Sequence, residues 1–240
     1  MRLSRSDVMK CYRFSQGMKG NHNPNMIMQR SDWEIFRDDF RGKLGEVAVK
    51  TTILKMFPNL HINADIDYSI TPRGQWDFTD LVVSGRYISI KSIKGRSKFL
   101  LVEKNRYNDD GTYKYMNGED APVQINAYIL VRVIVEPDMK WDDMNFNSIE
   151  EIKYPKPGVV RQIDAEILGG ITHEEFWRKK HFAPKGIQCN IQNLSAIASG
   201  ATNLPMAPQG LRKTEVLQQD NYLLSFSELT PLEQLFRNYR

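Results

Sequence analysis

The sequence predicts an α/β domain, a mixed central β-sheet flanked by helices, and three stretches carry that expectation. Residues 31–57 repeat apolar side chains at helical spacing (Phe36, Phe40, Leu44, Val47, Ile53, Leu54, Phe57) and stop at Pro58. Residues 76–94 hold an apolar triplet, Leu81-Val82-Val83, a Ser84-Gly85-Arg86 turn and an alternating run from Tyr87 to Ile93, the signature of a β-hairpin. Residues 123–136 are almost continuously apolar through Ile125, Tyr128, Ile129, Leu130, Val131 and Val133, as expected of a strand buried on both faces at the centre of a sheet.

The remaining elements follow in order. Residues 1–30 form a basic, Met-rich segment in which Ser6-Asp7 caps a short helix through Gln16, with a break from Gly17 to Pro24; the domain proper is expected over 31–240. Ser31 and Glu34 read as a capping box for the long helix. Gly42 and Gly45 are costly inside that helix and mark a point of close approach. Glu46 follows at the edge of the apolar face, either solvated or turned inward as a ligand. A strand is expected over His61–Ile70 and another over Phe99–Val102, ending at Glu103. Polar loops follow at 105–120 and 138–157, with a strand over 159–171. Thr172, with Glu175 three residues on, caps a short helix, and 186–210 reads as a long loop. Tyr222–Phe226 is a strand, and a closing helix over Leu229–Tyr239 has Pro231 in its first turn. His173 and His181 are both expected at the surface.

Composition narrows the function classes. Hydrophobic content of 41% and charged content of 26% describe a globular, soluble chain. No apolar run reaches the roughly 18 residues that a membrane span needs, and no apolar segment follows the first residues, so neither a span nor a secretory signal is expected. Cys11 and Cys189 fit a reducing, cytoplasmic setting and are too few for a cysteine-based zinc site. A net charge of +4 permits nucleic acid as a partner without requiring it.

The chemistry concentrates in the hairpin. Asp77 and Asp80 precede the apolar triplet, and the returning strand carries Ser89 and Lys91 on one face. Antiparallel pairing brings Asp80 and Lys91 to the same end. A carboxylate and an ammonium there can hold a divalent cation and a water beside a phosphate, or form an ordinary surface ion pair. Lys94, Arg96 and Lys98 follow at once, either as phosphate contacts or as a solvated loop. Arg178, Lys179 and Lys180, beside Trp177, make a second basic cluster, either a nucleic-acid contact or a basic helix end favoured by the helix dipole. The Asn- and Gln-bearing stretch 186–210 offers groups suited to base edges.

The order of helix with Gly45-Glu46, strand, Asp80 strand, hairpin and Ser89-Ile90-Lys91 strand resembles the PD-(D/E)xK nuclease superfamily, the restriction-endonuclease-like fold, over residues 33–135. That resemblance implies a Glu on the first core helix, here Glu46; an Asp at the start of the second strand, here Asp80; and an acid-x-Lys on the third, here Ser89 and Lys91. Position 89 departs from the pattern. A branch of type II restriction enzymes has Ser-x-Lys and draws the missing carboxylate from a Glu about a dozen residues on, and Glu103 stands twelve residues after Lys91. Glu46 or Asp77 could also fill the gap. The resemblance implies a Mg²⁺-dependent endonuclease acting on double-stranded DNA, commonly as a homodimer so that each subunit cuts one strand. Lys91 would orient or activate the attacking water, and Ser89 would bind a water at the cation. The alternative is a nucleic-acid-binding protein on the same fold with a degenerate site.

Overall fold

The computed structural model describes residues 1–18, 32–70, 80–93, 95, 97–114, 124–136, 162–208 and 216–237. Two sheets and five α-helices are present among them. The larger sheet orders its strands β1 (Ile62–Ala64), β2 (Leu81–Val83), β3 (Arg86–Ile93), β5 (Ala127–Glu136) and β6 (Gln162–Thr172). β1, β2 and β3 run antiparallel in sequence, β5 joins β3 in parallel, and β6 returns antiparallel to β5, so the sheet is mixed. The smaller sheet orders β4 (Phe99–Glu103), β8 (Asn221–Ser225) and β7 (His181–Ala183), all antiparallel.

Helix α1 (Arg5–Met18) packs on α2 (Asp32–Met56), and α2 lies on one face of the larger sheet. The apolar stripe read from the sequence is the face that packs: Phe36, Phe40, Leu44 and Ile53 are fully buried against Leu81, Ile88, Ile129 and Val131. A buried Phe contributes roughly 2–3 kcal/mol through its removal from water. Gly45 explains why a costly residue is kept in this helix: a Cβ there would stand 2.0 Å from Ser92 Oγ on β3. Gly42 faces open space, with nothing within 4 Å of its added Cβ, so the expectation of close approach holds for one glycine of the pair.

The other face of the sheet meets the smaller sheet through a second cluster. Tyr128 and Leu130 of β5 and Ile171 of β6 pack with Leu100 and Val102 of β4, Leu224 of β8 and Phe176 of α3 (His173–Lys179). A third cluster lies beneath α4 (Ile191–Ala198) on the outer face of the smaller sheet, and α5 (Leu232–Phe236) returns to the first core. Gly170 sets the seat of α5, because a Cβ there would come 2.6 Å from Leu235.

Several expectations are corrected. The first helix is capped by Ser4, whose Oγ accepts the Asp7 N–H at 3.1 Å, and not by Ser6. The strand expected over His61–Ile70 is confined to Ile62–Ala64, since Asp65 and Asp67 turn their carboxylates onto backbone N–H groups of Ile66 and Ser69 and end the pairing. The stretch 186–210 contains α4, capped by Asn190, whose side chain accepts the Asn193 N–H at 2.8 Å. The C-terminal portion, which its composition leads one to expect as irregular within the 31–240 unit, supplies β7 and β8 of the smaller sheet. Ser31 and the connection over 138–157 lie outside the described residues. Among the described residues no helix is long and apolar enough to cross a membrane.

Candidate active site

The hairpin positions its polar groups through backbone geometry. Ser84 and Gly85 both take positive φ, 48° and 75°, the conformation a tight two-residue turn needs. Tyr87, Ser89 and Lys91 then leave one face of β3, while Ile88 and Ile90 enter the α2 core. At the far end the ladder departs from plain strand pairing. Asp80 N–H donates to Ile88 O at 3.2 Å, and the Ile90 N–H donates at 2.5 Å to Asp80 Oδ2, a carboxylate oxygen in place of a backbone carbonyl. The Ser89 hydroxyl donates to the same oxygen at 3.4 Å. One carboxylate oxygen is thus fixed by the strand that carries Ser89 and Lys91, and Oδ1 has no hydrogen-bond partner among the described residues.

Lys91 is half-buried, and among the described residues it has no ion pair and no hydrogen bond. Its charge opposes the rise that burial causes at Tyr107, a residue that sequence reading left in a polar loop. Tyr107 and Tyr113 form an isolated bridge across the Asn108–Thr112 turn and meet edge to face, 5.3 Å between centroids. Burial pushes the phenols of Tyr107 and Tyr113 up, so both keep their protons. The charges of Glu103 and Asp80 add to the rise at Tyr113, and Arg106 opposes it.

The acids differ in how they are engaged. Glu103, at the end of β4, accepts Arg106 Nε at 2.9 Å. Burial works to lower the Arg106 pKa, and the bond and charge of Glu103 outweigh it, so the guanidinium is held above its ordinary value. Glu46 is buried, and Lys43 Nζ donates to it at 2.7 Å. Its described electrostatic contacts are with Cys11, whose thiol burial pushes up to about 12, and with Tyr68, whose phenol burial also raises. Asp77, Lys94 and Arg96 lie outside the described residues. Among the described residues no group of three or more His, Cys, Asp or Glu side chains is arranged to hold a metal ion.

The second basic cluster is engaged within its own surroundings. Lys179 pairs with Glu228 at 3.1 Å, and Arg178 lies 4.0 Å from Glu175. Lys180 donates to Trp177 O at 2.9 Å and sits over the rings of Trp177 and Tyr222, and burial lowers its pKa. Lys98 is exposed and lies over Phe226. These contacts favour the helix-end reading of 178–180. His173 corrects an expectation: it is buried, stacked 4.9 Å from Trp177, with Nδ1 3.2 Å from the Tyr128 hydroxyl. Sequence reading missed it because its ring packs against Tyr128 of β5, 45 residues away in the chain, as well as against Trp177 of its own helix. A comparison with protein families, with characterised proteins and with solved structures finds no match to this chain.

Proposed function

We propose that the protein is a Mg²⁺-dependent endonuclease of the restriction-endonuclease-like fold, hydrolysing phosphodiester bonds in double-stranded DNA and acting as a homodimer. The observation that carries this reading is the Asp80 carboxylate, tied by one oxygen to the strand bearing Ser89 and Lys91, with Lys91 half-buried and in no ion pair among the described residues. A partly buried ammonium without an anion is suited to an anionic ligand, and a phosphodiester supplies one.

The donor set fits a hard cation in part. Asp80 Oδ1 is available among the described residues, and Glu103 is the second acid that the sequence offers for the site. Two carboxylates with waters suit Mg²⁺, which keeps several waters in most protein sites. When bound, such a cation lowers the pKa of a water and offsets charge that develops on the phosphate. The chain's own groups do the rest. Asp80 is pre-oriented by the Ile90 N–H, the Ser89 hydroxyl bonds a water, and Lys91 holds a phosphate oxygen or the attacking water.

A second reading, a nucleic-acid-binding protein with a degenerate site on the same fold, is favoured by one set of contacts. Glu46 and Glu103 are each engaged by a basic side chain, so recruitment of either acid to a cation must displace Lys43 or Arg106. The two readings part on one experiment: plasmid and phage DNA incubated with the protein and Mg²⁺, with EDTA, and with Asp80→Asn. Mg²⁺-dependent cleavage that is lost in Asp80→Asn supports the nuclease. Metal-independent DNA binding without cleavage under every condition supports the binding protein and overturns the nuclease.

A further inference from the structure

The face of the smaller sheet that packs into the second core continues to the sheet's edge at β7, and there it carries rings and lysines that the nuclease reading leaves unused. Val102, Tyr222 and Phe182 are register partners across β4, β8 and β7, so their side chains share one face. Burial falls away along that row. Val102 is buried, Tyr222 is half-buried, and Phe182 at the edge is 47% exposed. Trp177 of α3 backs the row, with its ring edge to face against Tyr222 and 5.2 Å between centroids.

Cations lie over these rings. Lys104 Nζ stands 4.8 Å from the centre of the Phe182 ring, and Lys180 Nζ stands 4.5 and 4.9 Å from those of Trp177 and Tyr222. Neither lysine is in an ion pair among the described residues, whereas Arg178 and Lys179 are held by Glu175 and Glu228. Near solvent an aromatic face is a weak partner for an ammonium, and a phosphate oxygen is a stronger one. A nucleic-acid strand answers both groups at once: its phosphates take the ammonium groups, and its bases take the ring faces. Bases within a duplex are already stacked on one another, so the strand that fits this face is unpaired.

We propose that this face of the smaller sheet binds single-stranded DNA, with Phe182 and Tyr222 as stacking platforms and Lys104 and Lys180 on the phosphates; the choice of DNA rests on the nuclease reading. Fluorescence anisotropy of a short labelled oligo(dT), titrated with the intact protein in EDTA, tests it. Phe182→Ala is expected to weaken binding about fivefold or more, and Phe182→Trp to retain it. Lys104→Ala is expected to flatten the slope of log affinity against log salt by about 0.7. Lys55→Ala, at an exposed lysine of α2, is expected to leave affinity and slope as in the wild-type protein. No binding of oligo(dT) by the wild-type protein, or unchanged affinity in Phe182→Ala, overturns the proposal. So does a loss in Lys55→Ala equal to that in Lys104→Ala, which would mean attraction by net charge alone. An equal loss in Phe182→Ala on a duplex of the same length overturns the single-strand assignment, and tighter binding of oligo(U) overturns the choice of DNA. Cleavage is silent in EDTA, so the two readings fail separately. Oligo(dT) binding that Phe182→Ala weakens upholds this surface even where Mg²⁺ produces no cut, and unchanged affinity leaves the nuclease reading of a protein that cuts standing.

Discussion

Asp80 carries two duties that substitution can separate. Its Oδ2 closes the hairpin ladder by accepting the Ile90 N–H, and its charge is what a cation would need. Asp80→Asn keeps a carbonyl acceptor and removes the charge, so cleavage is expected to fall by at least about a hundredfold while the denaturant midpoint hardly moves. Asp80→Ala is expected to lose the same activity and, in addition, about 1–3 kcal/mol of stability, because the Ile90 N–H is left without its acceptor. Plasmid cleavage and urea unfolding on the two variants read the two effects. His173 gives a pH dependence with a definite sign. Burial and then Lys180 lower its pKa in the folded protein, so the unfolded chain takes up a proton first as pH falls. Its contribution to stability is complete above the ordinary imidazole range, near about pH 6.5, and is lost as pH falls through it toward the depressed folded value. His173→Asn is expected to show a smaller loss of urea midpoint between pH 8 and pH 5 than the wild-type protein. At this scale the shared face of Ser89 and Lys91 was legible, because an alternating strand fixes which side chains share a face. The burial of Tyr107 and His173 was not, since it depends on contacts between segments tens of residues apart.

Helix α2 and the hairpin were readable for a common reason: each carries its own periodicity, and a nearby breaker or turn ends it. The glycines of α2 allow a paired prediction. Gly42→Ala adds a Cβ into open space and is expected to stabilise the protein by about 0.5–1 kcal/mol through helix propensity. Gly45→Ala drives a Cβ onto Ser92 and is expected to destabilise it by about 1–3 kcal/mol. Urea unfolding of the two variants should therefore move in opposite directions, although the sequence change is identical. The smaller sheet escaped sequence reading for the converse reason. β7 is three residues long, and β4 finds its partner β8 more than a hundred residues away, so no local pattern announces the pairing. Helix α4 was hidden because its eight residues sit among Asn, Gly and Pro that read as loop.

Across the whole molecule, the two sheets share one interior. Phe176 is fully buried where β5, β6, β4 and β8 converge, and its ring lies 4.8 Å from that of Tyr128. Phe176→Ala is expected to cost about 3–5 kcal/mol. Far-UV circular dichroism and tryptophan fluorescence should still give coincident transitions in the variant, since a shared core melts as one unit. Separate transitions would mean that the smaller sheet folds on its own. The bond from Ile90 N–H to Asp80 has a practical use on the same scale. Because this amide donates directly to the carboxylate, its proton resonance is tied to the electron density on that oxygen. Ile90 is therefore a spectroscopic gauge of Asp80, and a Mg²⁺ titration followed at that one peak would test whether the intact protein takes up the cation there, with no nucleic acid in the tube.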